Sequence, residues 1–427
     1  MQRTRRRKLT INCITSSIAL ASAIVLINAM AASCQDGSTL KIPNRSGLAN
    51  CPLTVPPHVA DTLLVMPARD ADKDETASVI REAHGTVVKT IGDGELTCYV
   101  VKVERGFLND AERKLRADKH FNTIQRDWVC HAEQAAVNDP YFPSEWHLTA
   151  LNVINGWQVS QGGRSVLAIV DTGTNYSVPE MSGKTYAGYD AIYKRDGQTD
   201  VQGHGTMVAT TAAANTNNNL LTAAPARLSY VYPVRAGDAN GSFTDSAVME
   251  AVYHCGNKGV KILNLSANAD PPYTFANVSV HSAVNQYFKW YHDTKGGLIF
   301  NSAGNTPRKD PNPLLPYLIV VSAINPSYTL ASFSTYGNCV WFTAPGEQIY
   351  CSTRTGRVAS AAGTSFSSPL AASIAALIWG AKPSLRNTEV ENIMKSTCYK
   401  AGSSTWTQWY GYGMPNTQAA LKAALGR

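Results

Sequence analysis

Past its first eight residues the sequence carries almost no excess of charge of either sign. The formal net charge is +7, and Arg3, Arg5, Arg6, Arg7 and Lys8 supply five of those charges, leaving +2 for everything else. So even a balance gives no electrostatic reason to expect nucleic acid as a partner. Charged residues are sparse, at 16% against 44% hydrophobic, which argues for a globular chain rather than a disordered one. The nine cysteines include no Cys-x-x-Cys pair, so their spacing suggests no zinc site. Apolar runs of membrane-spanning length are also missing, with one exception near the N-terminus. The 427 residues leave room for one large domain and a small one.

That exception runs from about residue 14 to residue 32, directly after the basic cluster. A charged segment, an apolar segment and small residues at its end form the pattern of a secretory signal. Ala29-Met30-Ala31 offers an A-x-A cleavage site. Ala31-Ala32-Ser33-Cys34 resembles a lipobox with alanine in place of leucine, which makes Cys34 a candidate for lipid attachment. Thr4-Arg5-Arg6 resembles part of a twin-arginine signal. The competing reading is a single uncleaved transmembrane anchor. The expectation is a signal over residues 1–34 and a secreted or cell-envelope protein, touching a membrane only through this segment or a lipid. Export would allow Cys255, Cys339, Cys351 and Cys398 to form two disulfides, in any of three connectivities. Unpaired buried thiols are the alternative.

Residues 35–58 are polar and rich in Pro, Gly and Ser, which reads as a linker. A small domain is expected over residues 59–134. Its elements are a strand at 62–66, an amphipathic helix at 74–83 closing at Gly85, and strands at 86–91 and 96–103 across Gly92-Asp93-Gly94. A charged helix at 108–117 and a strand at 121–128 complete it. The order β-α-β-β-α-β is the split βαβ, ferredoxin-like α+β arrangement. A second region, residues 135–427, opens at Asn138-Asp139-Pro140-Tyr141-Phe142. Nearly unbroken apolar runs at 165–170, 260–265, 298–302 and 317–322 alternate with helical stretches. That pattern indicates an α/β domain with a mainly parallel sheet covered on both faces. Functional residues in such sheets gather beyond the strands' carboxyl ends.

Four short motifs sit at such ends. Asp171 follows the first run in Val170-Asp171-Thr172-Gly173. His204 lies between glycines in Gly203-His204-Gly205-Thr206, ahead of an apolar stretch. Asn305 closes Asn301-Ser302-Ala303-Gly304-Asn305, and its carboxamide can donate to an oxyanion without carrying charge. Ser365 lies in Gly363-Thr364-Ser365-Phe366-Ser367-Ser368-Pro369, at the start of an apolar helix whose first turn Pro369 would suit. Taken singly, each residue has a plain structural use as a turn former or cap. Together they supply a nucleophile, a base, an orienting carboxylate and an oxyanion donor.

The order Asp–His–Ser, with these flanking residues, resembles the subtilisin-like serine peptidases, especially the thermitase branch, over about residues 138–427. The resemblance implies a three-layer subtilisin-like fold and a serine endopeptidase acting on polypeptides through an acyl-enzyme. It implies Ser365 as nucleophile, His204 as general base, Asp171 as its orienter and Asn305 in the oxyanion hole. The small preceding domain is similar to the family's inhibitory propeptide, so the chain's own N-terminal part becomes an intramolecular partner of a self-processed zymogen. By the family pattern Ser266-Ala267-Asn268 and Gly241-Ser242-Phe243 would pair with an extended substrate. Ser302-Ala303-Gly304 would form the second wall of the pocket for the residue before the cut.

Several positions depart from the family pattern. Met207 stands in place of a histidine, Asn268 in place of a glycine against the substrate, and Phe366, Leu370 and Ala371 replace commoner residues. No cofactor is required for the chemistry. Asp139, Glu180 and Asn217 fall near the family's calcium site and make structural Ca²⁺ a candidate. The alternatives are a catalytically inactive binding protein on the same fold, and a peptide cyclase or acyl transferase.

Overall fold

The computed structural model describes residues 58–128, 137–163 and 165–427. The expected signal, most of the linker, and Cys13, Cys34, Cys51 and Cys130 lie outside the described residues. The described residues divide into two compact units, one of residues 58–128, 137–144 and 216–223, the other of residues 145–215 and 224–427.

The smaller unit runs β1 (His58–Pro67), α1 (Lys73–Glu82), β2 (Gly85–Ile91), β3 (Cys98–Val103), α2 (Leu108–Arg116) and β4 (Phe121–Trp128). Its sheet is antiparallel, in the order β2-β3-β1-β4. Helix α1 starts where Asp72 Oδ1 accepts the N–H groups of Asp74 and Glu75, at 2.8 and 3.0 Å. Leu63, Val65, Ile80, Val101, Leu115 and Ile124 form its core.

The larger unit is built on an eight-stranded sheet. Its main strands are β5 (Val166–Asp171), β6 (Tyr230–Arg235), β7 (Ile262–Leu265), β8 (Leu298–Ser302), β9 (Ile319–Ile324) and β10 (Val340–Pro345). They run in the order β10-β9-β8-β7-β5-β6, and each adjacent pair is parallel. Two short strands, Tyr189–Asp190 and Arg195–Asp196, extend the β6 edge and end the sheet in an antiparallel pair. The principal helices are α3 (His204–Ala213), α4 (Asp245–Asn257), α5 (Ser282–Asp293) and α6 (Thr364–Ala381).

Successive strand residues point to opposite faces. Ala168 and Val170 join one core cluster with Val248, Val252 and Phe288 of α4 and α5. Their neighbours Leu167 and Ile169 are just as buried but lie outside that cluster. Both faces of the sheet are therefore covered, which is why its strands read as continuous apolar runs.

Strand β6 contains Pro233, and the next strand pairs with β6 at Val234 and Arg235, beyond the proline. Two expectations change. Helix α6 begins at Thr364, so Pro369 lies inside it rather than in its first turn. A helical Pro369 has no N–H for the carbonyl of Ser365, four residues back. The hydroxyl of Ser266 donates to that carbonyl instead, at 2.8 Å. Finally, Cys255, Cys339, Cys351 and Cys398 are all free thiols and all buried, so the two-disulfide arrangement gives way to its alternative.

Helix α6 is long and apolar enough to cross a membrane, but it is a core helix, with residues 366–379 buried. Phe288 on α5 is wholly inaccessible. Phe288→Ala should lower the unfolding free energy by about 3–5 kcal/mol, read as a reduced urea midpoint at an unchanged slope.

Candidate active site

The strand ends deliver the four motif residues to a single cleft or its immediate wall. A cleft of about 590 Å³ is lined by His204, Asn305 and Ser365, with Thr172 and Thr364 beside them. Asp171, the last residue of β5, is fully buried just behind it. His204 Nδ1 faces both oxygens of the Asp171 carboxylate, at 2.8 and 3.0 Å. The Thr172 N–H also donates to Asp171 Oδ1, at 2.7 Å, so the carboxylate is fixed before the imidazole meets it.

His204 is the first residue of α3, and Gly203 before it adopts φ +121°, a conformation open mainly to glycine. Gly205 after it has a different reason: a Cβ there would lie 2.0 Å from the Gly173 carbonyl oxygen. The helix start is therefore pressed against the end of β5, which brings the imidazole onto the carboxylate. Burial pulls the His204 pKa down, but the Asp171 charge and hydrogen bond, helped by Asp200, outweigh it and leave the pKa raised.

Asp200 is a residue that motif reading passed over. Its buried carboxylate accepts the Thr172 hydroxyl (2.9 Å) and the N–H groups of Gln202 (3.0 Å), Gly203 (2.7 Å) and Thr206 (3.0 Å). The Thr206 hydroxyl donates to it as well. Thr172 in turn accepts the Gly205 N–H at 3.0 Å. One carboxylate thus ties the Asp171 strand end to the first turn of the His204 helix. The only sequence signal was an aspartate four residues before the histidine.

Asn305 is held through its oxygen. Its Oδ1 accepts both the N–H and the hydroxyl of Thr364, each at 2.9 Å. Among the described residues, neither its Nδ2 nor the Ser365 backbone N–H has a hydrogen-bond partner. Two donors are therefore left beside the Ser365 hydroxyl. That hydroxyl makes a long 3.4 Å bond to the Ser266 carbonyl, and no hydrogen bond joins it to His204.

The expected substrate edges are placed differently from one another. Gly241, Ser242, Phe243, Ser266, Ala267, Asn268, Ser302 and Gly304 line the cleft. Ala303 does not; it is buried in the core cluster under β8. The calcium candidates are engaged otherwise. Asp139 accepts the N–H groups of Asn217 and Asn218 on its two oxygens, at 2.9 and 3.2 Å. Glu180 is buried near Lys184, whose ammonium is pulled down to about 7 by burial, with the Glu180 charge opposing that shift. Among the described residues no group of three or more His, Cys, Asp or Glu side chains is arranged to hold a metal ion.

The family model described as the subtilase family matches residues 162–413. The chain is similar to thermitase from Thermoactinomyces vulgaris, 33% identical over 275 residues, which cover 64% of this chain and 94% of that protein. It is 34% identical over 269 residues to a thermophilic serine proteinase from Bacillus sp. (strain AK1), covering 62% of this chain and 64% of that one. Among solved structures it resembles a cold adapted subtilisin-like serine proteinase, with a TM-score of 0.52 and 25% identity, covering 60% of this chain and 90% of that one.

The raised pKa of His204 is testable directly. An NMR titration should place its imidazole above the ordinary histidine value of about 6.5. Asp171→Asn removes the larger raising charge and leaves the burial, the largest single influence, so the same titration should then fall below that value.

Proposed function

The chain belongs to the subtilase family, in its thermitase-like branch, as a serine-type endopeptidase, and from that premise we propose that Ser365, His204 and Asp171 hydrolyse peptide bonds through an acyl-enzyme. The observation that carries this reading is the His204 imidazole held by a fully buried Asp171 in the same cleft as Ser365. Asp171 accepts a hydrogen bond from Nδ1–H, which keeps that proton in place and leaves Nε2 as the basic nitrogen. Ser365 swings from the Ser266 carbonyl to Nε2 as substrate enters, gives up its proton and attacks the carbonyl carbon. Catalytic hydrogen bonds are often long or misaligned until substrate is bound. His204 then passes the proton to the departing amine, and water repeats the sequence to release the acyl group.

The negative oxygen formed in each half-reaction is met by Asn305 Nδ2 and the Ser365 N–H. Both are without partners among the described residues, and the second belongs to the first turn of α6, where the helix dipole also favours negative charge. Polypeptide substrate pairs in extended form with residues 241–243 and 266–268. A binding protein on the same fold would have no use for this pair of idle donors beside a serine.

The reading extends to the life of the chain. Residues 1–34 direct export, 35–58 form a linker, and 59–134 act as an inhibitory propeptide that the peptidase region, 135–427, removes itself. No cofactor takes part in the chemistry. A structural calcium ion fits poorly, since the Asp139 oxygens already accept two backbone N–H groups and Glu180 lies near the Lys184 ammonium.

Ser365→Ala should abolish peptide hydrolysis and leave the expressed chain at full length, while the wild type trims itself. Identical trimming of both, without added protease, would contradict self-processing. Asn305→Ala should lower kcat by about 10²–10³-fold with little change in KM. Only neutral His204 can take the proton, and its pKa is raised, so hydrolysis should climb with pH through a midpoint above about 6.5. A flat profile from about pH 5 to 9 would contradict His204 as the base.

A further inference from the structure

Strands β7 and β8 are parallel neighbours, with Asn301 opposite Leu265 at their last paired position. Beyond it the two strands part, and residues 266–270 on one side and Ser302, Gly304, Asn305 and Thr306 on the other line the cleft. Both walls start beside the nucleophile. The Ser266 carbonyl accepts the Ser365 hydroxyl, and Asn305 Oδ1 holds Thr364. A peptide whose carbonyl carbon stands at Ser365 therefore sends the side chain next to that carbonyl into the wedge between them.

The depth of such a wedge is set by what ties its walls. Two asparagines do so, and the Thr306 hydroxyl also donates to Asp270 Oδ1. Asn301 Nδ2 donates to the carbonyls of Leu265 and Ala267, at 2.9 and 2.8 Å. Asn268 then reaches across in the other direction, its Nδ2 donating to the Ser302 carbonyl (2.8 Å) and to Asn301 Oδ1 (3.2 Å). Asn268 Oδ1 accepts the N–H groups of Ala269 and Phe275, at 3.0 and 2.9 Å. Both amide hydrogens and both oxygen lone pairs are thus used, which locks the side chain in place. A large side chain could enter only by breaking these bonds and leaving polar groups unpaired.

We propose that Asn268 is a specificity-determining residue: by fastening wall to wall it makes the slot beside Ser365 shallow, so that cleavage follows small uncharged residues such as Ala, Ser and Gly and not Phe, Leu or Lys. The proposal rests on the endopeptidase reading above. A glycine at position 268 would leave the wedge open, whereas the asparagine closes it.

The test is kcat/KM for one peptide series that varies only in the residue before the cut. The wild type should favour Ala over Phe and Leu by at least about tenfold, within the range that a tight apolar subsite can enforce. Asn268→Gly should raise the Phe-to-Ala ratio at least about tenfold, and Asn301→Ala should move it the same way and carry the test if the first variant does not fold. A purely structural role would depress all substrates alike and leave the ratio unmoved. The proposal is overturned if wild type cuts after Phe as readily as after Ala, or if the folded variants keep the wild-type ratio within about twofold. Cleavage of none of the peptides by the wild type would sink the endopeptidase reading and this proposal with it, whereas cleavage with the wrong preference sinks the proposal alone.

Discussion

The burial of helix α6 is the constraint on which the rest depends. Leu370, Ala371, Ala372, Ile374, Ala375, Ala376, Leu377 and Ile378 are all inaccessible, on every side of the helix. It packs on β7, β8, β9 and β10 at once. A helix apolar all round has no solvent face on which to slide or rotate, so its first turn is fixed as firmly as the core. The cost falls at its N-terminus, where backbone donors have no helical partner. Asn305 satisfies Thr364, and the Ser365 N–H is left facing the cleft. Pro369 inside the helix leaves the Ser365 carbonyl without a helical donor, and the Ser266 hydroxyl provides one.

Two buried carboxylates organise the opposite side of the cleft. Asp171 meets the imidazole itself, while Asp200 gathers the backbone N–H groups and hydroxyls that position α3. Buried carboxylates are costly unless fully hydrogen-bonded, and both meet that condition with donors supplied by the turn around Thr172 and the start of α3. The geometry between His204 and the sheet end is thereby set by the fold before any substrate arrives, as electrostatic preorganisation requires.

Much of this was legible in the sequence because it is local. Unbroken apolar runs gave away a parallel sheet, and Asp171 and Asn305 stand at or just beyond the carboxyl ends of two of them. Glycines around His204 announced close approach. What was not legible depends on partners far along the chain. Asp200 reads as a loop residue until Thr172, 28 positions earlier, is seen to donate to it. The Ser365 carbonyl is completed from a residue 99 positions away, a partner that lets Pro369 stand inside the helix rather than in its first turn. Cysteine count says nothing of distance, and the four thiols that could have paired are all free and buried. Asn268 reads as one substitution on a substrate edge; only the fold shows it bonded across to Ser302.

The central claim is that Ser365 is a nucleophile made reactive by His204. It is tested most directly by treating the folded protein with a fluorophosphonate and mapping the adduct by peptide mass spectrometry. The account predicts one adduct, on Ser365, formed by the wild type and lost in His204→Ala although that variant remains folded. An adduct on another residue, no adduct in a folded and mature wild type, or equal labelling without the histidine would contradict it.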